Sequence, residues 1–167
     1  MNKHLLILGC GYVGTKLAKA CLKLGFQVSG TTRNNEHAQS LKEIGITPIV
    51  VTSPADMSDA VLKQVTHIID SIPLTRHNNT MFASQTQWLP ILTPKLQHLE
   101  WAGYLSTTGV YGDAGGAWVD ESYPCQPSSP RGIERLKAEQ AWLSSGLPAE
   151  VFRLAGIYGQ ERNIISR

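Results

Sequence analysis

Three glycines near the amino end constrain this chain more than any other feature. Gly9-Cys10-Gly11-Tyr12-Val13-Gly14 spells G-x-G-x-x-G. It follows the short apolar run His4–Leu8 and precedes a stretch with apolar residues at Val13, Leu17, Ala20, Cys21 and Leu24. A strand, a glycine turn and an amphipathic helix in that order give the pattern its meaning. Gly9 permits the tight turn, Gly11 lets the backbone approach a pyrophosphate, and Gly14 lets helix and strand pack closely. The helix opening at Tyr12 and Val13 presents free N–H groups and the positive end of its dipole to phosphates. These residues therefore predict dinucleotide binding through Gly9, Gly11, Tyr12, Val13 and Gly14. The plainer alternative is an ordinary strand–helix turn that happens to contain three glycines.

The rest of the chain keeps the same alternation. The first helix spans 12–24 and closes on Gly25, the expected left-handed residue past a helix end. A second strand covers 27–31, a short helix 36–43 and a third strand 47–51, with Pro48 tolerated near its start. A helical turn or two at 58–64 leads to a fourth strand at His67–Asp70. A long helix is expected over 82–98, kinked near Pro90 and Pro94. A fifth strand follows at 102–107, then a loop rich in Gly, Pro and Ser over 108–129. A helix at 131–145 and a sixth strand at Ala149–Leu154 complete the pattern. Strands separated by helices predict a parallel sheet with helices on both faces.

The end of the second strand bears on which dinucleotide is bound. An acidic residue there would bind the ribose 2′-hydroxyl of NAD. The chain instead reads Gly30-Thr31-Thr32-Arg33-Asn34. Arg33 can pair with a 2′-phosphate, with Thr31 and Thr32 adding hydrogen bonds, so NADP is favoured and NAD is the alternative. A solvated loop arginine is the bland alternative. After the fourth strand, Asp70-Ser71-Ile72-Pro73 falls at the carboxyl edge of the sheet, which makes Ser71 a cofactor contact. Cys10 sits at a helix N-terminus, where a thiol becomes more acidic, but a small buried filler fits it better.

Bulk properties exclude several classes. A net charge of +2, with 42% hydrophobic and 17% charged residues, gives no footprint for nucleic acid. The longest apolar runs are strand-sized, so no membrane helix is expected. No signal peptide is evident. Three cysteines without a CxxC pair suit a reducing cytoplasm, and five scattered histidines predict no metal site.

The segments GCGYVG at 9–14, STTGVYG at 106–112, the helix start at 130–139 and RLAGIYG at 153–159 together resemble the extended short-chain dehydrogenase/reductases. More narrowly, the chain looks like an atypical branch of the NAD-dependent epimerase/dehydratase family, along essentially its whole length. The resemblance implies a Rossmann-like doubly wound parallel sheet and a small-molecule substrate such as a nucleotide sugar. It also implies a homodimer packed through the long helices. In such proteins a Ser/Thr before the V-Y-G turn bonds the substrate oxygen, and that position is Thr107, flanked by Ser106 and Thr108.

The family's next helix usually carries Tyr-x-x-x-Lys, where this chain has Arg131 and Arg135. Spaced i,i+4, they share one helical face. Arginine stays protonated and cannot relay a proton. It can still hold a carboxylate or phosphate, or offset developing negative charge. Thr107, Arg131 and Arg135 are thus the candidate catalytic residues. If a proton is needed, water or an acid of the long loop (Asp113, Asp120 or Glu121) must supply it. A solvated helix face and a strand-end hydroxyl bonded to backbone are the alternatives. Residues 1–167 read as one NAD(P)-binding Rossmann domain whose substrate-selecting C-terminal part is missing relative to the family. A non-catalytic NADP-binding sensor or regulatory module, or an inactive truncated remnant, fits the same residues.

Overall fold

Strand β1 (His4–Leu8) is buried along its whole length, which places it inside a sheet covered on both faces. The computed structural model describes residues 2–163 and 165. Beside β1 run β2 (Gln27–Thr32), β3 (Thr47–Val50), β4 (His67–Asp70), β7 (Trp101–Thr107) and β8 (Ala149–Leu154). All pairings among these six are parallel, in the order β3-β2-β1-β4-β7-β8. Strands β5 (Thr75–His77) and β6 (Thr80–Phe82) form a separate antiparallel hairpin. With the hairpin set aside, this is the doubly wound dinucleotide-fold order. Pro48 lies on edge strand β3, where a missing N–H can be tolerated.

Alternation along β1 divides the interior into two cores. Leu5 and Ile7 pack with Ala18, Val28, Leu41 and Ile46 under helices α1 (Tyr12–Lys23) and α2 (Asn35–Glu43). Leu6 and Leu8 face Leu62, Trp88, Leu89, Ala138 and Trp142. Those residues belong to α3 (Asp59–Leu62), α4 (Gln85–Leu92) and α5 (Pro130–Leu143). Gly25 closes α1 as expected: its φ is +85°, its N–H reaches Leu22 O at 3.0 Å, and Phe26 N–H reaches Cys21 O at 3.1 Å.

The helix expected over 82–98 is much shorter. Asn78 and Asn79 adopt φ of +47° and +61°, a two-residue turn that asparagine tolerates. The chain therefore doubles back, and Phe82 pairs with Thr75 in the hairpin. Pro90 lies inside α4, and the helix gives way to a 3₁₀ turn at Thr93–Lys95 containing Pro94. Smaller differences lie at ends: 58–64 holds only the single turn of α3, β7 begins at Trp101, and α5 runs from Pro130 to Leu143.

Candidate functional site

The sheet order reverses between β1 and β4, and a crevice opens outside the strand ends at such a switch point. Here it is a cleft of about 1140 Å³. The expected residues Gly9, Gly11, Tyr12, Val13, Thr32, Arg33, Ser71, Thr107, Arg131 and Arg135 all line it. Gly14 lies just behind the wall. A Cβ there would come 2.8 Å from Ile7 Cγ2, so its role is close packing of α1 on β1.

The glycine turn is tightly supported. Gly9 has φ of +75°, the left-handed region that favours glycine. Its N–H donates to Thr31 Oγ1 at 2.8 Å, and Cys10 N–H donates to Thr31 O at 3.0 Å. Thr31 is buried, and its hydroxyl is engaged in supporting the turn. Gly11 caps α1 without any side-chain hydrogen bond, which leaves the first-turn amides open to another acceptor. A Cβ on Gly11 would meet nothing within 4 Å, so the space in front of the turn is open. Cys10 is buried against Gly30, and burial pushes its thiol pKa up, which makes it a filler.

Sequence reasoning missed His37. Its Nε2 lies 2.7 Å from Cys10 O, so the Nε2–H tautomer ties α2 to the glycine turn. Arg33 is exposed at the cleft rim. Thr32 Oγ1 accepts from Asn34 N–H at 3.2 Å, and Asn34 in turn caps α2. Among the described residues, no carboxylate lines the cleft. Tyr12 O–H donates to Gln160 O at 2.9 Å, and the guanidinium of Arg162 sits 5.4 Å from the Tyr12 ring centre.

Beneath the other half of the cleft lies a polar network. Asp70 is fully buried. It accepts from Ile72 N–H at 3.0 Å, Gln85 Nε2 at 3.0 Å and Trp142 Nε1 at 2.8 Å. Burial pushes its pKa up to about 6, against the pull of these donors and of Arg135. Arg135 Nη1 donates to the Tyr104 phenol oxygen (Oη) at 3.0 Å. Burial raises the Tyr104 pKa to about 12. Glu139, 1% exposed, forms a bidentate pair with Arg153 at 3.1 and 2.9 Å and accepts from Ser106 O–H at 2.6 Å. Arg153 also donates to the Tyr111 phenol oxygen (Oη) at 3.1 Å. Arg135 is therefore half-buried, and the solvated-face reading does not hold for it, whereas Arg131 is exposed; Glu139 is buried.

The long loop's acids are placed elsewhere. Asp113 accepts from Gly115 N–H, and Asp120 accepts from Ser122; both are exposed and neither lines the cleft. Thr107 lines the cleft, and its Oγ1 accepts from Gly109 N–H at 3.2 Å, which leaves its hydroxyl proton to donate. Among the described residues no group of three or more His, Cys, Asp or Glu side chains is placed to hold a metal ion. Among them, no helix is long and apolar enough to cross a membrane.

Strand order and glycine turn together define a Rossmann-like doubly wound α/β protein. No family model matches the chain. It is 27% identical over 173 residues to protein YeeZ of Escherichia coli K12, covering 96% of this chain and 61% of that protein. A functionally unknown conserved protein from Silicibacter pomeroyi superposes with a TM-score of 0.84 at 35% identity, covering 99% of this chain and 56% of that one. WbmG of Bordetella bronchiseptica, in complex with NAD, superposes at 0.75 and 19% identity over 95% of this chain and 55% of its own. The dTDP-glucose 4,6-dehydratase of Bacillus anthracis, also with NAD, gives 0.74 and 20% over 94% and 56%. These last two likenesses are of fold. The chain spans about three fifths of the curated relative's length.

Proposed function

We propose that residues 1–167 form a NAD(P)-binding Rossmann domain serving redox chemistry on a small-molecule substrate. The observation that carries this is the open, uncapped start of α1 at the switch point, with Gly11 facing free space. A diphosphate fits there because backbone amides and the helix dipole already point at it. Arg33 would take the 2′-phosphate of NADP, with Thr32 and Ser71 lining the adenosine and ribose path. NADP is therefore the favoured cofactor over NAD. The structural neighbours crystallised with NAD support the cofactor class, and one of them is a dehydratase of a nucleotide sugar.

When bound, the nicotinamide supplies hydride exchange with a substrate carbon. Thr107 would orient the substrate oxygen through its free hydroxyl proton. Arg131 and Arg135 would offset negative charge on that oxygen without giving up a proton. Any proton then comes from water. A non-catalytic sensor is the second reading. It is favoured by the arginines at the two positions where the resembling enzymes carry tyrosine and lysine, and by the distance of the loop acids from the cleft.

The test is a fluorescence titration with NADPH and NADH on the parent protein and on Gly11→Val. A Cβ at Gly11 meets no protein atom within 4 Å, so the variant should keep its fold and lose the cofactor. Equal affinity in both proteins would move the site elsewhere. Oxidation of bound NADPH by a nucleotide-sugar substrate would separate enzyme from sensor.

A further inference from the structure

Among the described residues, five arginines line the cleft: Arg33, Arg76, Arg131, Arg135 and Arg162. Among the described residues, none of them forms an ion pair. They divide between the two sides of the switch point. Arg33 follows β2, and Arg162 stacks on Tyr12 of α1, so both belong to the side of the glycine turn. Arg76 on β5 and Arg131 and Arg135 on α5 belong to the other side, beyond β4.

Carboxylates near this second group are already engaged. Glu134 lies between the two α5 arginines in sequence, yet its Oε2 accepts from Ala83 N–H at 3.0 Å and its other oxygen pairs with Lys137. That bond ties the hairpin to α5. Glu139 is held by Arg153. Asp70 is buried under three donors. Arg135 Nε is shut off from solvent with no hydrogen-bond acceptor. Arg76 and Arg131 thus line one half of the cleft with no ion-pair partner among the described residues, while Arg135 is within electrostatic reach of Asp70.

Resting on the dinucleotide reading, the geometry points to a substrate that carries its own anionic group, phosphate or carboxylate, seated on Arg76 and Arg131. The cofactor's phosphates are taken up on the glycine-turn side and cannot neutralise this half. Arg135 is anchored on Tyr104 and adds positive potential from below. The hairpin, absent from the expected element pattern, supplies one of the two arms that grip the anion. Guanidinium groups bind both phosphate and carboxylate through paired N–H donors.

The experiment is isothermal titration of two probes, inorganic pyrophosphate and citrate, into the protein at fixed ionic strength, with and without saturating NADPH. Binding of either probe in the presence of NADPH is expected, and the stronger probe identifies the anion class. Arg76→Gln and Arg131→Gln should each weaken that binding roughly tenfold. Lys19→Gln, an exposed charge on α1 outside the cleft, should not change it. Loss of all probe binding once NADPH is present, or indifference to both arginine substitutions, would overturn the proposal. If NADPH itself fails to bind, the dinucleotide reading falls. Probe binding to the free protein then decides this proposal by its dependence on Arg76 and Arg131.

Discussion

Replacing Asp70 by asparagine should flatten the pH dependence of stability between about pH 4 and 6. In the folded protein the Asp70 pKa is pushed up to about 6 from 3.8, chiefly by burial. Over that window the native state keeps a proton that the unfolded chain has released. Stability is therefore fully present below about pH 3.8 and is lost as pH rises through about 6. The gap between the two values corresponds to about 3 kcal/mol, a large part of the ~5–15 kcal/mol that holds a domain together. Asparagine removes the titration but costs one acceptor. With its oxygen kept toward Gln85 and Trp142, its amide N–H faces Ile72 N–H, a loss of about 1–3 kcal/mol. The two proteins should thus be nearly equal near pH 7.5, with the variant clearly weaker at pH 4.5. His4, whose pKa is lowered by burial, titrates in both and cancels in the difference. Urea unfolding at four pH values, followed by tryptophan emission, reads the result directly. Parallel stability curves for the two proteins would refute the buried-carboxylate reasoning.

Other substitutions probe separate parts of the argument. Arg33→Gln should bring NADPH affinity down about tenfold to that of NADH, measured by nucleotide fluorescence; an unchanged ratio would remove Arg33 as the selector. Gly14→Ala should cost about 1–3 kcal/mol in urea unfolding through overpacking, because the new Cβ meets Ile7 Cγ2 at 2.8 Å. Arg153→Met should destabilise by about 3–5 kcal/mol, leaving the buried Glu139 carboxylate unpaired. A cost below 1 kcal/mol there would show that water replaces the guanidinium.

Much of the fold was legible because its determinants are local. The glycine turn, the helix stop at Gly25 and the buried run of β1 each lie within a few consecutive residues. Six strands and their parallel alternation followed from such signals. The hairpin was not legible, since two three-residue strands carry no measurable alternation and Asn78-Asn79 contains no glycine. The proline pair at 90 and 94 pointed to a kink, whereas the helix starts three residues later and stops at Leu92.

The site divides along the same physical line. Its glycine-turn half rests on backbone amides and one strand end, and local sequence announces both. The other half depends on partners far apart in the chain: Asp70 with Trp142, 72 residues away, and Arg135 with Tyr104, 31 away. Only the register that sets Asp70 beside Tyr104 across β4 and β7 brings these groups together. A weak signal existed in the spacing Arg131, Arg135, Glu139, which recurs every four residues on α5 beside the buried Ala138 and Trp142. Charges that keep step with a helix's buried face are poor candidates for mere surface, because solvation has no reason to follow the helical period. That logic moves Arg135 and Glu139 inward. It leaves Arg131, one turn earlier at the helix start, as the charge still free to meet a ligand.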